Sequence, residues 1–197
     1  ASTEHDVAIF WEKLHAYYKR DIFPDTDNEA LHYFLGSSYH DHIMRLHRRK
    51  QDRCFFLFFY RSGQEIGFAM PVIYHTEDGK CFILEFCVYP AFRGNGTGKA
   101  CARALLHWAR EHGALYAELS HGGSARRRHF WEYVGFVENG ADEFGQPLMI
   151  LPPAEALPIT VEVLSDPEDW QIKKLENGFK KDIGEETLTV EKQRQLQ

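Results

Sequence analysis

The sequence predicts an α+β fold with a mixed α/β sheet, in which an antiparallel meander is followed by a β-α-β unit. Three observations predict it. Apolar residues recur at helical spacing between Asp6 and Arg49, and the period changes to that of strands from Cys54 onward. Two turn signals, Ser62-Gly63 and Glu77-Asp78-Gly79, separate three strand-like runs. A strand then meets a glycine-rich turn, Arg93 to Lys99, that opens straight into an amphipathic helix ending at Gly113.

The first helix is expected over residues 6–20, with Ile9, Phe10, Leu14, Tyr17 and Tyr18 on its apolar side and Asp6 as its cap. Pro24 and Asp25 end it. A second helical region covers 28–49, and Gly36-Ser37-Ser38 either kinks it or divides it in two. Residues 54–60 read as a buried strand and 65–74 as its return, where Gly67 and Pro71 signal a bulge or an edge. Residues 80–89 form the third strand, which Pro90 ends. After the helix at 100–111, a right-handed crossover sets the strand at 114–119 parallel to the third. A helix at 124–133, a strand opening at Gly135-Phe136-Val137 and a last strand at 146–151 complete the unit.

Pro152-Pro153 and Pro158 mark a boundary, dividing the chain into a domain at 1–153 and a strand-helix extension at 154–197. Residues 175–183 echo residues 14–22 in constant register: Leu, aromatic, paired bases, Asp, Ile. Three readings stay open. The echo is chance between two amphipathic helices, or it begins a second copy of the domain. Alternatively, the strand-like run at 159–164 supplies a first strand that the N-terminus lacks, in this molecule or in the partner of a homodimer.

Composition narrows the chemistry. A chain of 197 residues suits one domain with a small appendage, and its net charge of -6 argues against binding a phosphate backbone, so no nucleic-acid partner is expected. No long apolar run predicts a membrane span. Cys54, Cys81, Cys87 and Cys101 lie in apolar surroundings without a C-x-x-C pair, which reads as buried free thiols in a reducing, cytoplasmic setting. The spacing of His40, His42 and His47 does not make a metal site, and no metal is expected.

Chemistry concentrates between Val88 and Lys99. The first N–H groups of a helix have no intrahelical acceptors, the helix dipole adds positive potential there, and glycines let an anion approach the backbone. Arg93 and Lys99 add charge, so the turn is built for a phosphate. A Walker A loop fails on spacing and on Ala100 after Lys99. A dinucleotide fingerprint has a candidate ribose acid in Glu118, but an antiparallel meander does not belong before it.

Arg93-Gly94-Asn95-Gly96-Thr97-Gly98 resembles the R/Q-x-x-G-x-G/A signature of the GNAT superfamily of N-acetyltransferases, and Phe130-Trp131-Glu132-Tyr133-Val134-Gly135-Phe136 resembles its later F-Y-x-x-x-G-F element. The resemblance covers residues 6–151 and implies a GNAT-like acyl-CoA N-acyltransferase fold, with acetyl-CoA as cosubstrate. By that likeness, Arg93, Gly94, Asn95, Gly96, Thr97, Gly98 and Lys99 would hold the pyrophosphate. Backbone groups of Cys87 and Val88 would pair with the pantetheine arm at a splay between the fourth and fifth strands. Ser124 aligns with the family's Asn. Glu85 is the candidate base, sharing a face with Cys87 and Tyr89 opposite Leu84, Phe86 and Val88; the alternative is a Glu paired to a surface cation. The family's acidic Tyr aligns with Trp131, which cannot protonate a thiolate. Tyr133 is the substitute acid, or else it simply packs against the sheet. Arg126-Arg127-Arg128 either reaches the adenosine 3′-phosphate or forms a solvated face. Tyr17, Tyr18, Asp21, Asp25, Asp27, Tyr33 and Tyr39 would surround the acceptor, which suits a small cationic amine. The outcome is an acetyltransferase, or a GNAT-like acyl-CoA-binding module that has lost catalysis.

Overall fold

A computed structural model describes residues 3–24 and 29–151. The expected division at residue 153, the echo at 175–183 and the strand at 159–164 lie outside these residues.

Helix α1 (Glu4–Tyr17) begins at Thr3, not at Asp6. Thr3 Oγ1 accepts from the Asp6 N–H at 3.1 Å, and Asp6 Oδ2 accepts from the Thr3 N–H at 3.1 Å. Asp6 is therefore the third-position partner of a capping box, and Thr3 is the cap. The helix continues into a widened π-turn (Tyr18–Ile22), where the Phe23 N–H reaches the Tyr18 carbonyl at 2.8 Å. Gly36 divides the next helical region into α2 (Glu29–Leu35) and α3 (Ser37–His47).

The strand expected at 54–60 is two strands. β1 (Arg53–Cys54) and β2 (Leu57–Arg61) pair with opposite ends of the long β3 (Gln64–Tyr74). β4 (Lys80–Val88) returns antiparallel to β3. The register shifts at Pro71, which has no N–H to offer a ladder: Met70 faces Glu85, Pro71 faces Ile83, and Leu84 has no opposite number. This bulge corrects the expected alternation. Leu84 packs on the same side as Cys87 and Tyr89, while Ile83, Phe86 and Val88 pack on the other.

Helix α4 (Thr97–Glu111) starts earlier than expected because Gly98 and Lys99 belong to its first turn. β5 (Tyr116–Ser120) is parallel to β4 through Lys80↔Tyr116, Cys81↔Ala117 and Phe82↔Glu118. β4 and β5 then run on to Val88 and Ser120 without further pairing, so the sheet splays. α5 (Ala125–Val134), β6 (Val137–Ala141) and β7 (Pro147–Leu151) follow, with β7 inserted between β5 and β6.

Two cores flank the sheet. On one face Phe10, Leu14, Tyr18, Tyr39 and Ile43 pack on Phe56, Phe68 and Met70. On the other, Cys101, Ala102, Leu105 and Trp131 pack on Ile73, Ile83 and Leu119. The four cysteines are buried and free. At Gly67 β3 leaves no room for a side chain against β4, since a Cβ there would lie 2.2 Å from the Cys87 carbonyl oxygen and 3.1 Å from Val88 Cα. Among the described residues, no helix is long and apolar enough to cross a membrane.

Candidate active site

The splay has a backbone side and a side-chain side. On the first, the glycine turn ends β4 and begins α4. Gly94 (φ 91°), Asn95 (φ 47°) and Gly96 (φ 76°) all have left-handed backbone, and Gly96 caps the helix without a side-chain bond. The Thr97 N–H returns to the Gly94 carbonyl and the Ala100 N–H to Gly96. Among the described residues the Gly98 and Lys99 N–H groups have no acceptor, as the opening of a helix requires. Phe130 of α5 lies over Gly98, where a Cβ would approach its ring to 2.9 Å.

The charged residues of the turn are partly committed within the protein. Arg93 donates through Nε to the Val88 carbonyl at 2.8 Å and through its terminal nitrogens to Asp21 at 3.3 and 2.5 Å. Arg20 bonds Asp21 at 2.6 Å. Burial works to raise the Asp21 carboxyl, but its hydrogen bonds from Arg20 and Arg93 outweigh that and hold it below the usual value. Asp21, expected to face an acceptor, is thus the brace of the turn. Lys99 Nζ lies 3.7 Å from the ring centroid of Tyr133. Arg61, to which no motif points, donates to the buried Thr97 hydroxyl at 3.3 Å.

Strand register sorts Cys87 from Val88. The Tyr89 N–H reaches the Ile66 carbonyl at 2.9 Å, which makes Gly67↔Val88 a non-hydrogen-bonded pair. Val88 therefore turns its own N–H and carbonyl away from β3, toward the splay, and the Cys87 groups face β3. Burial pushes the Cys87 thiol up to about 11.

On the side-chain side stands Glu85, the residue that follows the bulge. Its Oε1 accepts from the Tyr18 hydroxyl at 2.8 Å, and Tyr18 meets the Tyr39 hydroxyl at 3.0 Å. Burial raises the Glu85 carboxyl to about 7, against the opposing pull of the Tyr18 hydrogen bond and of the Arg127 charge. The expected alternative, a pairing to a surface cation, does not occur: no salt bridge reaches Glu85 among the described residues. Part of the residue remains accessible. Burial, reinforced by the Glu85 charge, pushes Tyr18 and Tyr39 well above the ordinary phenol value, so both keep their protons. Phe34 packs against Tyr18 (5.1 Å between ring centroids), Tyr39 (4.9 Å) and Phe23 (5.4 Å), giving the site an aromatic wall. Tyr33 is exposed beside it, and Asp25 and Asp27 lie outside the described residues.

Ser124 caps α5, its hydroxyl accepting from the Arg127 N–H at 3.4 Å. Tyr133 is 65% exposed and does not pack on the sheet. Trp131 is buried between Phe86, Phe130 and Phe136. Arg128 is held by Glu132 and Glu138. Glu118 is bound to Lys80 at 3.3 Å and to Asn139 at 2.8 Å. A groove of about 670 Å³ between β2 and α4 does not include Glu85. No metal-binding cluster is found among the described residues.

Residues 11–136 match the family model of the acetyltransferase (GNAT) family. Among solved structures, the chain is similar to the PaiA N-acetyltransferase of Thermoplasma acidophilum in complex with coenzyme A, at 16% identity and a TM-score of 0.55, over 74% of this chain and 92% of that one. It is also similar to the ribosomal-protein-alanine N-acetyltransferase of Brucella melitensis, at 20% identity and a TM-score of 0.51, over 76% and 94%. These likenesses are of fold. No curated protein sequence matches the chain.

Proposed function

The chain belongs to the GNAT acetyltransferase family, and from that premise we propose that it transfers an acetyl group from acetyl-CoA to the primary amine of a small, positively charged molecule by direct attack. The observation that carries the reading is Glu85: a carboxyl held by Tyr18 on the stretch of β4 that no longer pairs with β5, and raised by burial to about 7. A base that titrates near neutral pH accepts a proton from an ammonium and is ionised when the next substrate arrives.

The turn from Gly94 to Lys99 supplies backbone donors for the pyrophosphate, with Arg93 and Asp21 bracing it from behind. Val88 offers its backbone N–H to the pantetheine arm, its carbonyl being held by Arg93, and Cys87 shapes the strand beside it. Ser124 positions the α5 helix, whose Arg127 reaches Glu85 electrostatically. The neutral amine forms the new C–N bond as the thioester C–S bond breaks. Its proton passes to Glu85, directly or through water, and the thiolate takes up a proton from solvent or from Tyr133, the exposed phenol that Lys99 covers. Aromatic faces at Tyr17, Tyr18, Phe34 and Tyr39 favour a cation over a neutral acceptor.

A second reading rests on Trp131. A buried indole where the family has its Tyr fits a domain that binds acyl-CoA and turns over poorly. Isothermal titration with acetyl-CoA, followed by thiol release with a panel of mono-, di- and polyamines, separates the two. Binding with amine-dependent release supports the enzyme, and binding without release under any amine supports the sensor. Absence of binding removes both.

A further inference from the structure

We propose that Tyr18 is the positioning residue for the base and that Tyr39 completes a hydroxyl relay behind it, so that two buried phenols hold Glu85 in place for the incoming amine. This rests on reading Glu85 as the base. The geometry carries it. A carboxylate only accepts, so the Tyr18 proton points at Glu85 Oε1, 2.8 Å away, which leaves the Tyr18 oxygen to accept from Tyr39 at 3.0 Å. Both phenols are buried, and Phe34 packs against both rings. Glu85 Oε2 has no partner among the described residues and is not one of their buried orphan atoms, so it remains accessible. One oxygen is anchored and the other is presented.

Tyr18 opens the π-turn. Tyr17 and Tyr18 are consecutive, and both are buried. The widened turn that follows, closed by the Phe23 N–H on the Tyr18 carbonyl, sets Asp21 against both Arg20 and Arg93. One irregular turn thus ties the base to α1 and the glycine turn to the same helix end. Single π-turns are frequent at functional sites.

The groups that face Glu85 are Tyr17 and Tyr18 from α1 and its π-turn, Tyr39 from α3, Met70 across β3, Cys87 along β4 and Arg127 from α5. Tyr18 is the one hydrogen-bonded to it among the described residues. A bond donated to a carboxylate favours the ionised form, so Tyr18 works against the burial that would otherwise keep Glu85 protonated at neutral pH.

The test is an NMR titration of the protein labelled with ¹³C at the glutamate side-chain carboxyls, with the Glu85 signal assigned by its loss in Glu85→Gln. It needs no acceptor, so its failure is separate from failure of the acyl-transfer reading, which thiol release decides. The parent carboxyl is expected to titrate near 7. In Tyr18→Phe the midpoint should rise by about one unit or more, and in Tyr39→Phe by a smaller amount in the same direction. A merely structural role for either phenol would lower the melting temperature without moving the midpoint. Tyr39→Phe leaves the Tyr18–Glu85 bond in place and stands as the second variant should Tyr18→Phe not fold. A midpoint that stays at the parent value in the folded variants overturns the relay.

Discussion

The two sides of the splay are built on opposite principles. The glycine turn and the head of α4, the proposed binding surface, are made of backbone: consecutive left-handed residues, unpaired N–H groups and a helix end, all within one short stretch of chain. The Glu85 side is built from side chains that the fold gathers from the π-turn after α1, from α3 and from β4, far apart in sequence. A backbone site tolerates exchange of its polar side chains and is broken by added bulk. A side-chain site fails when one atom is removed.

The sharpest way to break that comparison is Glu85→Gln. It should lower kcat by about 10²–10⁴-fold, the range for loss of a general base, while leaving the Kd for acetyl-CoA unchanged. Equal loss in both, read from steady-state kinetics and calorimetry, would mean that the two sides are one site. Next in size is Gly98→Val, which puts bulk where a Cβ already meets Phe130 at 2.9 Å. It should weaken acetyl-CoA binding by about tenfold, roughly 1.4 kcal/mol, and leave the Glu85 titration alone. Unaltered affinity would remove the turn from the binding site.

A third prediction concerns pH. The Glu85 carboxyl is raised from 4.5 to about 7, so between those values the folded chain holds more protons than the unfolded chain. Stability from this group is therefore greatest below about 4.5 and falls as pH rises toward 7. Glu85→Gln should raise the melting temperature relative to the parent more at pH 8 than at pH 5. The reverse order would show that a partner compensates the ionised carboxylate. The smallest effect is expected from Asp21→Asn. The Asp21–Arg93 pair is partly exposed, and such pairs contribute about 1 kcal/mol or less, so the Kd for acetyl-CoA should rise only about two- to fivefold. A much larger loss would make Asp21 part of the binding surface, not its brace.

The sequence by itself determined the element order, the parallel crossover between β4 and β5, and the phosphate-binding character of the turn. These follow from local periodicity and from glycines that sit together in the chain; the ladder agrees with the first two, while the third remains the proposed role of the turn. It also singled out Glu85 and its face with Cys87 and Tyr89, because alternation is a local rule. The bulge was legible only as a hint. Pro71 lies on β3, but the residue it displaces, Leu84, lies on β4, and which strand yields is settled only when the two pair. The same holds for the split of β1 from β2 along β3. Tertiary structure alone decided what the charges and phenols do. Tyr18 reads as another apolar position of a helix until the π-turn and α3 bring it between Glu85 and Tyr39. Asp21 reads as an acceptor-facing acid until Arg93, arriving from the end of β4, claims it. Hydrogen bonds and ion pairs depend on distances of a few ångströms between residues far apart in the chain, and no local pattern encodes those.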